Sequence, residues 1–508
     1  MKTRATIRLI GITVIAVSLA AGGLVAEGGP NSTIDSYIKA RDIIDAAVEA
    51  AGGADLLNGI TTVEWNQSGK TWARNQSQKV DAPFQANQQS GRVVLDLERG
   101  WLLFETGGQF PGGVFRNRTV IAGDDKFVLN LTAKTVQRNP NLDIANFAFF
   151  HRLFSPLMLR KALQQANSLR WLGTTEIDGR PQDIVTFAWD NGLTPTLYVD
   201  SESHLVSKYE LLFPDNLTGD AVSELRFPSY AEVAGVQVPG GYHQSIGGTL
   251  AAKIEYSDVA INGTVNEDEF KVPFGFREIA PPATGEVRVV ELADDVYMVE
   301  GLANFGYNFF FVAFDEFIVA FDAAVSRGVS AQAIAKMKET VPDKPIRYVV
   351  VSHHHDDHAG GVRAFIDEGA TVITTAANKA YLEEMAASVS SLAGEEAEEA
   401  MTSPVFEFVE GRHVIEAAGN KAVIYDIGPN PHAEEMLVLY MPKQKILFEA
   451  DMISPPRSGQ AGPASDAGAH FAEAVKKLGL EVDQLGGVHG TVGTWADVED
   501  ALRKRSAL

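Results

Sequence analysis

The sequence predicts an α/β fold for the C-terminal part of the chain, preceded by a β-rich antiparallel, half-barrel-like domain with a few helices. From residue 61 to about residue 271, many short alternating runs are separated by Gly, Asn and Asp, as in antiparallel sheets. From about residue 287 onward, apolar strand-like runs alternate with helix-like segments, as in α/β proteins. At 508 residues, the chain is long enough for more than one domain.

Composition restricts the class of protein and its partners. Hydrophobic residues make up 45% of the chain and charged residues 21%, which is typical of a folded protein with a large core. The formal net charge of −23 repels phosphate backbones, so nucleic acid is not expected as a partner. Because the chain has no Cys, it offers no disulfides, no thiolate ligands and no Cys nucleophile. Any metal must be held by nitrogen and oxygen atoms.

The N-terminus has the features of an export signal. Three basic residues within the first eight positions precede an uncharged run from Leu9 to Ala26, with small residues near its end. This pattern predicts a secretory signal peptide over residues 1–26, cleaved after Ala20 or Ala26. An uncleaved membrane anchor is the alternative, although a run of 18 residues with several Gly and Ala is marginal for spanning a bilayer. We therefore expect a periplasmic or secreted protein, if the exporting cell is a bacterium, with no stable membrane anchor after cleavage.

Composition and pattern divide the rest of the chain in two. A β-rich accessory domain is predicted over residues 34–273, a Pro-containing linker over residues 274–286, and the α/β domain over residues 287–508. Within the accessory domain, residues 34–50 and the segment Pro156–Asn167 have the pattern of helices.

Three segments of the accessory domain carry a loose resemblance to a known class of domain. They are Leu197–Asp200, Leu205–Leu211 and Gly235–Pro239. Their spacing resembles that of the curved-sheet domains that carry lipoproteins or lipids in the bacterial envelope. The resemblance implies a domain able to hold an apolar ligand, and a plain folded accessory domain is the alternative.

A cluster of polar residues in the second domain carries the candidate chemistry. Residues 353–358 read His-His-His-Asp-Asp-His and include four of the 11 His of the chain. They follow an apolar run, Tyr348–Val351, typical of a buried parallel strand, and precede a helix-like segment, Val362–Glu368. The cluster is therefore predicted at the carboxyl end of a strand, where α/β sheets build their sites. Because side chains alternate along an extended segment, His353 and His355 are expected to point to the same side.

Three later residues are placed in the same way, at a strand end or in a glycine-rich loop. His432 follows the turn Gly428–Pro431, Asp451 ends the apolar strand Ile446–Ala450, and His489 lies in a Gly-Val-His-Gly sequence. Imidazole and carboxylate groups are ligands for Zn²⁺, Fe and Mn. Together with the first cluster, these residues are candidate ligands for a pair of cations.

The order and spacing of these residues resemble those of the metallo-β-lactamase-fold hydrolases. The resemblance covers residues 287–508 and implies an αββα sandwich with the metals at one edge. It implies a first metal ion held by His353, His355 and His432, a second held by Asp357, His358 and His489, a bridging carboxylate from Asp451, and a supporting Asp322 at the end of an early strand. His354 and Asp356 match variable positions and receive no role.

This resemblance implies an exported hydrolase with two divalent metal ions. Zn²⁺ is the expected metal, and Fe and Mn are the alternatives. In two-metal sites a shared water loses a proton readily, and the resulting hydroxide attacks an electrophilic centre. Asp357 would orient that water or transfer a proton to the leaving group. The expected substrate is a small molecule with an ester, lactone, lactam, or phosphate or sulfate ester bond. Because the chain has no Cys, β-lactamase subclasses with a Cys ligand are excluded.

Two other classes of function stay open. One is a ligand-binding or carrier protein of the cell envelope, with a metal domain that is not catalytic. The other is a one-iron, oxygen-using enzyme of the same fold, although all seven ligand positions are filled here. The substrate, the native metal and the oligomeric state are not predicted. We expect the loops Asn304–Tyr307 and Ser454–Gly462 to decide the substrate.

Overall fold

The computed structural model describes residues 32–110, 113–140, 142, 145–189, 192–279, 287–302, 306–394, 403–456 and 462–507. The predicted signal peptide lies outside these residues, as do residues 304–305 and 457–461 of the two loops expected to decide the substrate. Within the described ranges, no helix is both long enough and apolar enough to cross a membrane.

The first part of the chain is built on one large sheet. The strands of this part are, in chain order, β1 (Thr62–Thr71), β2 (Asn87–Asp96), β3 (Trp101–Phe110), β4 (Gly113–Ala122), β5 (Asp125–Asn130), β6 (Thr135–Arg138), β7 (Arg170–Ile177), β8 (Arg180–Thr186), β9 (Thr196–Asp200), β10 (Val206–Asp215), β11 (Gly219–Arg226), β12 (Tyr230–Val233), β13 (Val236–Pro239), β14 (Gly241–Ile246), β15 (Thr249–Ile261) and β16 (Arg277–Ile279). The hairpin β12–β13 stands apart, and the other 14 strands pair in the order β16-β6-β5-β4-β3-β2-β1-β15-β14-β11-β10-β9-β8-β7. The prediction of a β-rich, antiparallel domain is therefore confirmed.

Helices cover one face of this sheet. They are α1 (Ser32–Ala50), α2 (Ala54–Asn58), α3 (Ala145–Arg152) and α4 (Ser155–Gln164). Buried positions of β1 alternate, so that Val63 and Trp65 reach the same core as Ile44 of α1. Trp65 stacks on Phe154, the residue before α4, with ring centroids 5.8 Å apart. The predicted helix at 156–167 is shorter than expected, since a separate 3₁₀ turn at Ala166–Ser168 follows α4.

The first sheet extends beyond residue 273, into the predicted linker. Strand β16 pairs in parallel with β6, with Arg277 opposite Thr135 and Ile279 opposite Gln137. A three-residue edge strand has too few positions to show an alternating pattern, so the Pro- and Gly-containing composition of this segment concealed it. Residues 280–286 of the predicted linker lie outside the described residues.

The second part contains two sheets. Strands β17 (Arg288–Ala293), β18 (Val296–Glu300), β19 (Phe309–Ala313), β20 (Ile318–Phe321), β21 (Ile346–Val350), β22 (Thr371–Thr374) and β23 (Val405–Phe408) form a seven-stranded sheet in this order. Strands β24 (Arg412–Ala417), β25 (Asn420–Asp426), β26 (Leu437–Met441), β27 (Ile446–Glu449), β28 (Gln484–Gly487) and β29 (Val492–Thr494) form a six-stranded sheet, also in this order. The pairs from β20 to β23 and the pair β27–β28 are parallel.

Helices flank both sheets and complete four layers. They are α5 (Arg327–Thr340), α6 (Asp356–Ala359), α7 (Val362–Asp367), α8 (Lys379–Ala387), α9 (Asp466–Leu478) and α10 (Trp495–Ser506). One core lies between the seven-stranded sheet and α5, α7 and α8, and another lies between the six-stranded sheet and α9 and α10. A third lies between the sheets, where Phe310 stacks on Phe448 with ring centroids 4.5 Å apart. The predicted αββα sandwich is therefore confirmed.

Polar contacts join the first part to the second. Asn216, in the turn between β10 and β11, donates its side-chain amide to the carbonyl oxygen of Val325 at 2.6 Å. The carboxylate of Asp220 accepts hydrogen bonds from the hydroxyls of Ser390 and Ser391. These contacts lie beside the loops that carry the candidate ligands, because the backbone N–H of Val325 donates to the carbonyl of Asp357.

Candidate metal centre

Loops that follow five strands of the second part bring the predicted site residues together. Asp322 follows β20, residues 353–358 follow β21, His432 follows β25, Asp451 follows β27 and His489 follows β28. The pairing of these strands places their carboxyl ends along one edge of the sandwich. The candidate ligands therefore converge although 136 positions separate the first from the last.

The first group of candidate ligands is His353, His355, His432 and Asp451. Nε2 of His432 lies 3.0 Å from Nδ1 of His355 and 3.3 Å from Nε2 of His353. Oδ2 of Asp451 lies 3.0 Å from the same His432 nitrogen and 3.3 Å from Nε2 of His353. Three imidazole nitrogens and one carboxylate oxygen thus face a common point.

The second group is Asp357, His358, Asp451 and His489. Oδ1 of Asp451 lies 2.8 Å from Nε2 of His489, and Oδ2 of Asp451 lies 3.0 Å from Nε2 of His358. Oδ2 of Asp357 lies 3.5 Å from Nε2 of His358 and 3.4 Å from Nε2 of His489. Asp451 therefore belongs to both groups.

These distances fit the coordination of small divalent cations. Ligands about 2.1 Å from a tetrahedral Zn²⁺ ion lie about 3.4 Å from one another. The donor atoms within each group lie 2.8–3.5 Å apart where they are neighbours. The donors are all imidazole nitrogens and carboxylate oxygens, which bind Zn²⁺, Fe and Mn. Each group can therefore hold one cation.

Asp322 fixes the orientation of two ligands from behind. Its Oδ2 accepts a hydrogen bond from Nδ1 of His358 at 2.9 Å and another from the hydroxyl of Ser352 at 3.0 Å. Because the Ser352 proton goes to Asp322, the Ser352 oxygen accepts from Nδ1 of His353 at 3.0 Å. In both His353 and His358, the proton is held on Nδ1 and the Nε2 lone pair faces the centre. Such outer hydrogen bonds are the usual means of orienting metal-binding histidines.

The first part of the chain fixes the orientation of a third ligand. Nε2 of His355 lies 2.9 Å from the carbonyl oxygen of Ser77. A carbonyl oxygen only accepts hydrogen bonds, so Nε2 of His355 carries the proton. Nδ1 of His355 therefore has its lone pair directed at the first group.

Burial and charge set the pKa values of these residues. Burial alone would raise the pKa of Asp451, but His358, His489 and His432 hold it well below its ordinary range. Burial would lower the pKa of His489, yet Asp451 and Asp357 raise it to about 9. Burial lowers the pKa of His353 to about 3, and it also lowers the pKa of His355. The carboxylate of Asp451 is therefore ionised, and the imidazoles of His353 and His355 are neutral and suited to a cation.

The two groups differ in their access to solvent. His353, His355 and His358 are fully buried, whereas the side chain of His489 is 25% exposed and that of Asp357 is 23% exposed. The centre is therefore open on the side of the second group. Tyr307 borders this opening, since its hydroxyl donates to Oδ2 of Asp357 at 3.0 Å and its ring packs against His489.

The structure brings together all seven predicted ligands and places Asp322 directly behind them. His354 and Asp356 belong to neither group. The ring of His354 packs edge-on against Tyr381, and the carboxylate of Asp356 accepts hydrogen bonds from the side chains of Asn75 and Gln76.

Several residues at the site had no assigned role in the sequence. Ser352 lies beside the His cluster, and Tyr307 lies in a loop expected to decide the substrate. Buried Glu449 accepts hydrogen bonds from the backbone N–H groups of Met452 and Ile453, which fixes the loop that carries Asp451. The sequence did contain a signal for Glu449, because it is a charged residue within an apolar run, two positions before a candidate ligand. Gln76 had no such signal, because it lies 281 positions before Asp357.

Comparison with known proteins identifies a family that matches the second part of the chain. Residues 305–489 match the Metallo-beta-lactamase superfamily. Among solved structures, a mono-zinc metallo-beta-lactamase from Pseudomonas aeruginosa is 23% identical, with 44% of this chain and 97% of that chain covered and a TM-score of 0.34. The metallo-beta-lactamase from Pontibacter korlensis is 20% identical over 44% of this chain and 100% of its own, also with a TM-score of 0.34. The corresponding protein from Hirschia baltica is 21% identical over 44% and 98%, with a TM-score of 0.34.

A comparison with curated proteins gave no match. The matched segment begins just before β19 and ends at His489, so it contains every residue of the two ligand groups and Asp322. The chain therefore carries a metallo-beta-lactamase superfamily domain at residues 305–489.

Proposed function

We propose that this chain is an exported hydrolase that holds two divalent metal ions, and we propose Zn²⁺ as the metal. Its substrate would be a small-molecule ester, lactone, lactam, or phosphate or sulfate ester. The superfamily assignment supports a metal-dependent hydrolase. The number of metal ions, the bond cleaved and the export of the protein are parts of this proposal.

The position of Asp451 is the observation that carries the proposal. One carboxylate lies within 3.0 Å of a histidine nitrogen in each group, at His432 on one side and at His358 and His489 on the other. Asp451 would therefore be a ligand common to both cations, one held by each group.

The residues of the chain divide the chemical work between them. When bound, two cations supply an activated water and stabilise negative charge that develops on the substrate. Two buried histidines of the first group, His353 and His355, hold their ligand atoms rigidly, because each imidazole also has a hydrogen-bond partner behind it. Asp357, which is ionised and partly exposed, lies where it can orient a water or transfer a proton.

The open side of the centre defines where a substrate approaches. Asp357, His489 and Tyr307 border this side. The pKa of Tyr307 is raised by burial and by the charge of Asp357, so its hydroxyl keeps its proton and remains a hydrogen-bond donor. Nucleophilic attack on a polarised carbonyl, phosphoryl or sulfuryl centre would therefore take place beside Asp357 and the tyrosine hydroxyl bound to it.

The proposal of export rests on the N-terminal sequence. A basic start followed by an uncharged run to Ala26 is the pattern of a signal peptide. Expression of the full-length gene in a bacterial host, followed by cell fractionation and N-terminal sequencing, tests it. A mature protein in the periplasm or the medium that begins near residue 21 or 27 supports export, and an intact N-terminus in the cytosol contradicts it.

Metal content and turnover test the proposed activity together. Elemental analysis of the purified protein should give about two metal ions per chain. A panel of chromogenic lactam, lactone, phosphodiester and sulfate-ester substrates, assayed with Zn²⁺ and with Mn²⁺, should identify the bond cleaved. The double substitution His353→Ala and Asp357→Ala should remove bound metal and turnover, whereas His413→Ala, in β24 and in neither group, should retain both. Full activity of the metal-free double variant would contradict the mechanism.

The same measurements address the alternatives. A carrier of apolar ligands would need an apolar cavity in the first part of the chain. A cavity of about 660 Å³ on its sheet is lined by Trp72 and Ile254 together with Lys70, Lys253, Glu255 and other polar residues and glycines, so an apolar ligand there would lie against charged groups. A one-iron enzyme would contain iron alone, at about one ion per chain, and would consume oxygen.

A further inference from the structure

The loop between β1 and β2 (residues 72–86, the β1–β2 loop) crosses from the first part of the chain onto the metal centre. Its residue Gln78 donates its side-chain amide to the carbonyl of Asn430 at 2.9 Å, and the carbonyl of Gln78 accepts from the backbone N–H of Glu434 at 2.9 Å. Val80 packs against the core of the second part. The loop is therefore bonded to the segment that carries His432.

The same loop is bonded to the segment that carries His353, His355 and His358. The carbonyl of Ser77 accepts from Nε2 of His355, and the side chain of Asn75 donates to Oδ2 of Asp356 at 2.6 Å. Arg74 forms an ion pair with Glu384 of α8. Polar contacts of Arg74, Asn75, Ser77 and Gln78 thus anchor residues 74–78 across the edge of the sandwich.

Gln76 is the residue of this loop that contacts a candidate metal ligand of the second group, Asp357. Its side-chain NH₂ group donates one hydrogen bond to Oδ1 of Asp356 at 2.8 Å and the other to Oδ1 of Asp357 at 2.7 Å. Two adjacent carboxylates repel each other, and a shared amide donor between them offsets part of that repulsion. Both donors of the amide are used, so its position is fixed by two bonds.

The bond to Asp357 decides which of its oxygens faces the cation. Because Oδ1 accepts from Gln76, Oδ2 is the oxygen turned toward Nε2 of His358 and Nε2 of His489, at 3.5 and 3.4 Å. Rotation of the carboxylate by half a turn would exchange the two oxygens, but any intermediate angle would break the bond to Gln76. The amide therefore limits the carboxylate to the orientation required for binding.

We propose that the first part of the chain completes the metal centre, with Gln76 as a positioning residue that holds Asp357 in its metal-binding orientation. This inference rests on the metal binding proposed above. It assigns the accessory domain a direct role at the site, in addition to any ligand that it binds itself. Removal of the Gln76 amide should weaken metal binding by the second group more than metal binding by the first. The second group is Asp357, His358, Asp451 and His489.

Two variants of the full-length protein test this role. Gln76→Met keeps the length of the side chain and removes both donors, and Gln76→Asn keeps an amide that is one methylene too short to reach both carboxylates. Each should weaken Zn²⁺ binding at the second group roughly tenfold to a hundredfold, the usual effect of losing a hydrogen bond behind a metal ligand. Binding of the first Zn²⁺ ion, at the buried group, should stay within about threefold of wild type.

Spectra of the Co²⁺-loaded protein provide a readout that a merely structural role would not change. With one Co²⁺ equivalent, the visible absorption of the variants should match that of wild type; with two, the bands of the second ion should shift or weaken. Gln85→Ala is the matched control, because it removes an exposed glutamine side chain from the same loop. It should bind both ions as wild type does.

Each outcome has a distinct meaning. If both Gln76 variants are folded by circular dichroism and bind two Zn²⁺ ions with wild-type affinities and spectra, the role of Gln76 is wrong and the proposed function stands. If both ions bind equally weakly, or a variant fails to fold, the loop is a general structural support and the specific positioning of Asp357 is wrong. If the wild-type protein binds no metal, the proposed function and this inference both fail.

Discussion

Nδ1 of His358 lies 2.9 Å from Oδ2 of Asp322, and both side chains are fully buried. The backbone of Asp322 has a φ of 62°, in the left-handed region that L residues rarely adopt. This strained position turns the carboxylate toward the centre, where it accepts from the backbone N–H and hydroxyl of Ser352 as well as from His358. One carboxylate thus orients two ligands of the loop after β21, His358 directly and His353 through Ser352.

Substitution Asp322→Asn should weaken metal binding roughly tenfold to a hundredfold. An amide has one acceptor oxygen, so its NH₂ group would face at least one of the three donors that Asp322 now accepts from. The free energy of unfolding of the metal-free protein should also fall by about 1–3 kcal/mol, because a buried donor loses its partner. Zn²⁺ titration against a competing chelator and thermal unfolding measure the two effects.

Asp343→Asn is the control for Asp322→Asn. Asp343 has a similar φ of 66° and is exposed to solvent. Its replacement by Asn should change neither quantity. Equal metal affinity in Asp322→Asn and wild type would show that the hydrogen bond to His358 does not contribute to binding.

Substitution Asp451→Ala should remove both metal ions, because Asp451 is the residue shared by the two groups. Substitution His489→Ala should remove only the second ion and leave about one ion per chain, since His489 belongs to one group. Elemental analysis of the two purified variants separates these outcomes. Retention of one ion per chain in Asp451→Ala would contradict a bridging role for this carboxylate.

Substitution Tyr307→Phe should lower kcat/KM about tenfold while both metal ions remain bound. The hydroxyl of Tyr307 donates to a charged ligand, Asp357, and hydrogen bonds to charged groups contribute about 1.5–3 kcal/mol. Tyr297→Phe, which alters a tyrosine stacked on Phe311 in the seven-stranded sheet, is the control and should have wild-type kinetics. Unchanged kinetics in Tyr307→Phe would mean that the hydroxyl has no part in turnover.

Substitution Gly361→Ala should destabilise the second part by about 3 kcal/mol. A Cβ atom at Gly361 would lie 2.0 Å from Oγ of Ser330 and 2.7 Å from the carbonyl oxygen of Ser326, and both residues are fixed at the start of α5. Relief of this clash would displace the turn that carries His358, so metal affinity should fall as well. Chemical denaturation and Zn²⁺ titration measure both quantities.

Gly328→Ala is the control for the substitution at Gly361. A Cβ atom at Gly328, also in α5, has no neighbouring atom within 4 Å. Alanine in a helix should therefore stabilise the protein by about 0.5–1 kcal/mol. If Gly361→Ala were as stable as Gly328→Ala, the packing of α5 against the ligand-bearing turn would be looser than these distances imply.

Acid should destabilise the first part of the chain through His151. Burial, with Lys161 and Arg160 nearby, lowers the pKa of His151 from 6.5 to about 4. Above pH 6.5, His151 is neutral in both the folded and the unfolded protein. Between pH 6.5 and pH 4 only the unfolded protein binds the proton readily, so the free energy of unfolding falls as the pH falls. The loss should reach about 2 kcal/mol, less than the full pKa difference because the ring is partly solvated.

Replacement of His151 by Gln isolates this effect. The difference in free energy of unfolding between wild type and His151→Gln, measured by urea denaturation of the metal-free protein, should be constant above pH 6.5 and change in favour of the variant toward pH 4. A difference that stays constant over this range would show that His151 titrates normally in the folded protein.

Local patterns were sufficient to predict most of the elements and all seven candidate ligands. The apolar run before His353 and the alternating runs of the first part can be recognised as strands from the pattern of apolar and polar residues within each short segment. The αββα architecture followed from the resemblance carried by those ligands. Strand β16 was missed because three residues carry no period, and its pairing with β6 depends on a segment 142 positions earlier.

The amino-acid sequence by itself determined the chemistry available to this protein: imidazole and carboxylate ligands, no thiolate, and their placement after strands. The tertiary structure alone decided how these groups are oriented. Asp322 directs Nε2 of His358 toward the centre, and the β1–β2 loop directs Nδ1 of His355 and Oδ2 of Asp357 toward it. The physical reason is that a hydrogen bond between residues about 280 positions apart depends on the packing of two separate sheets, and no local pattern records it.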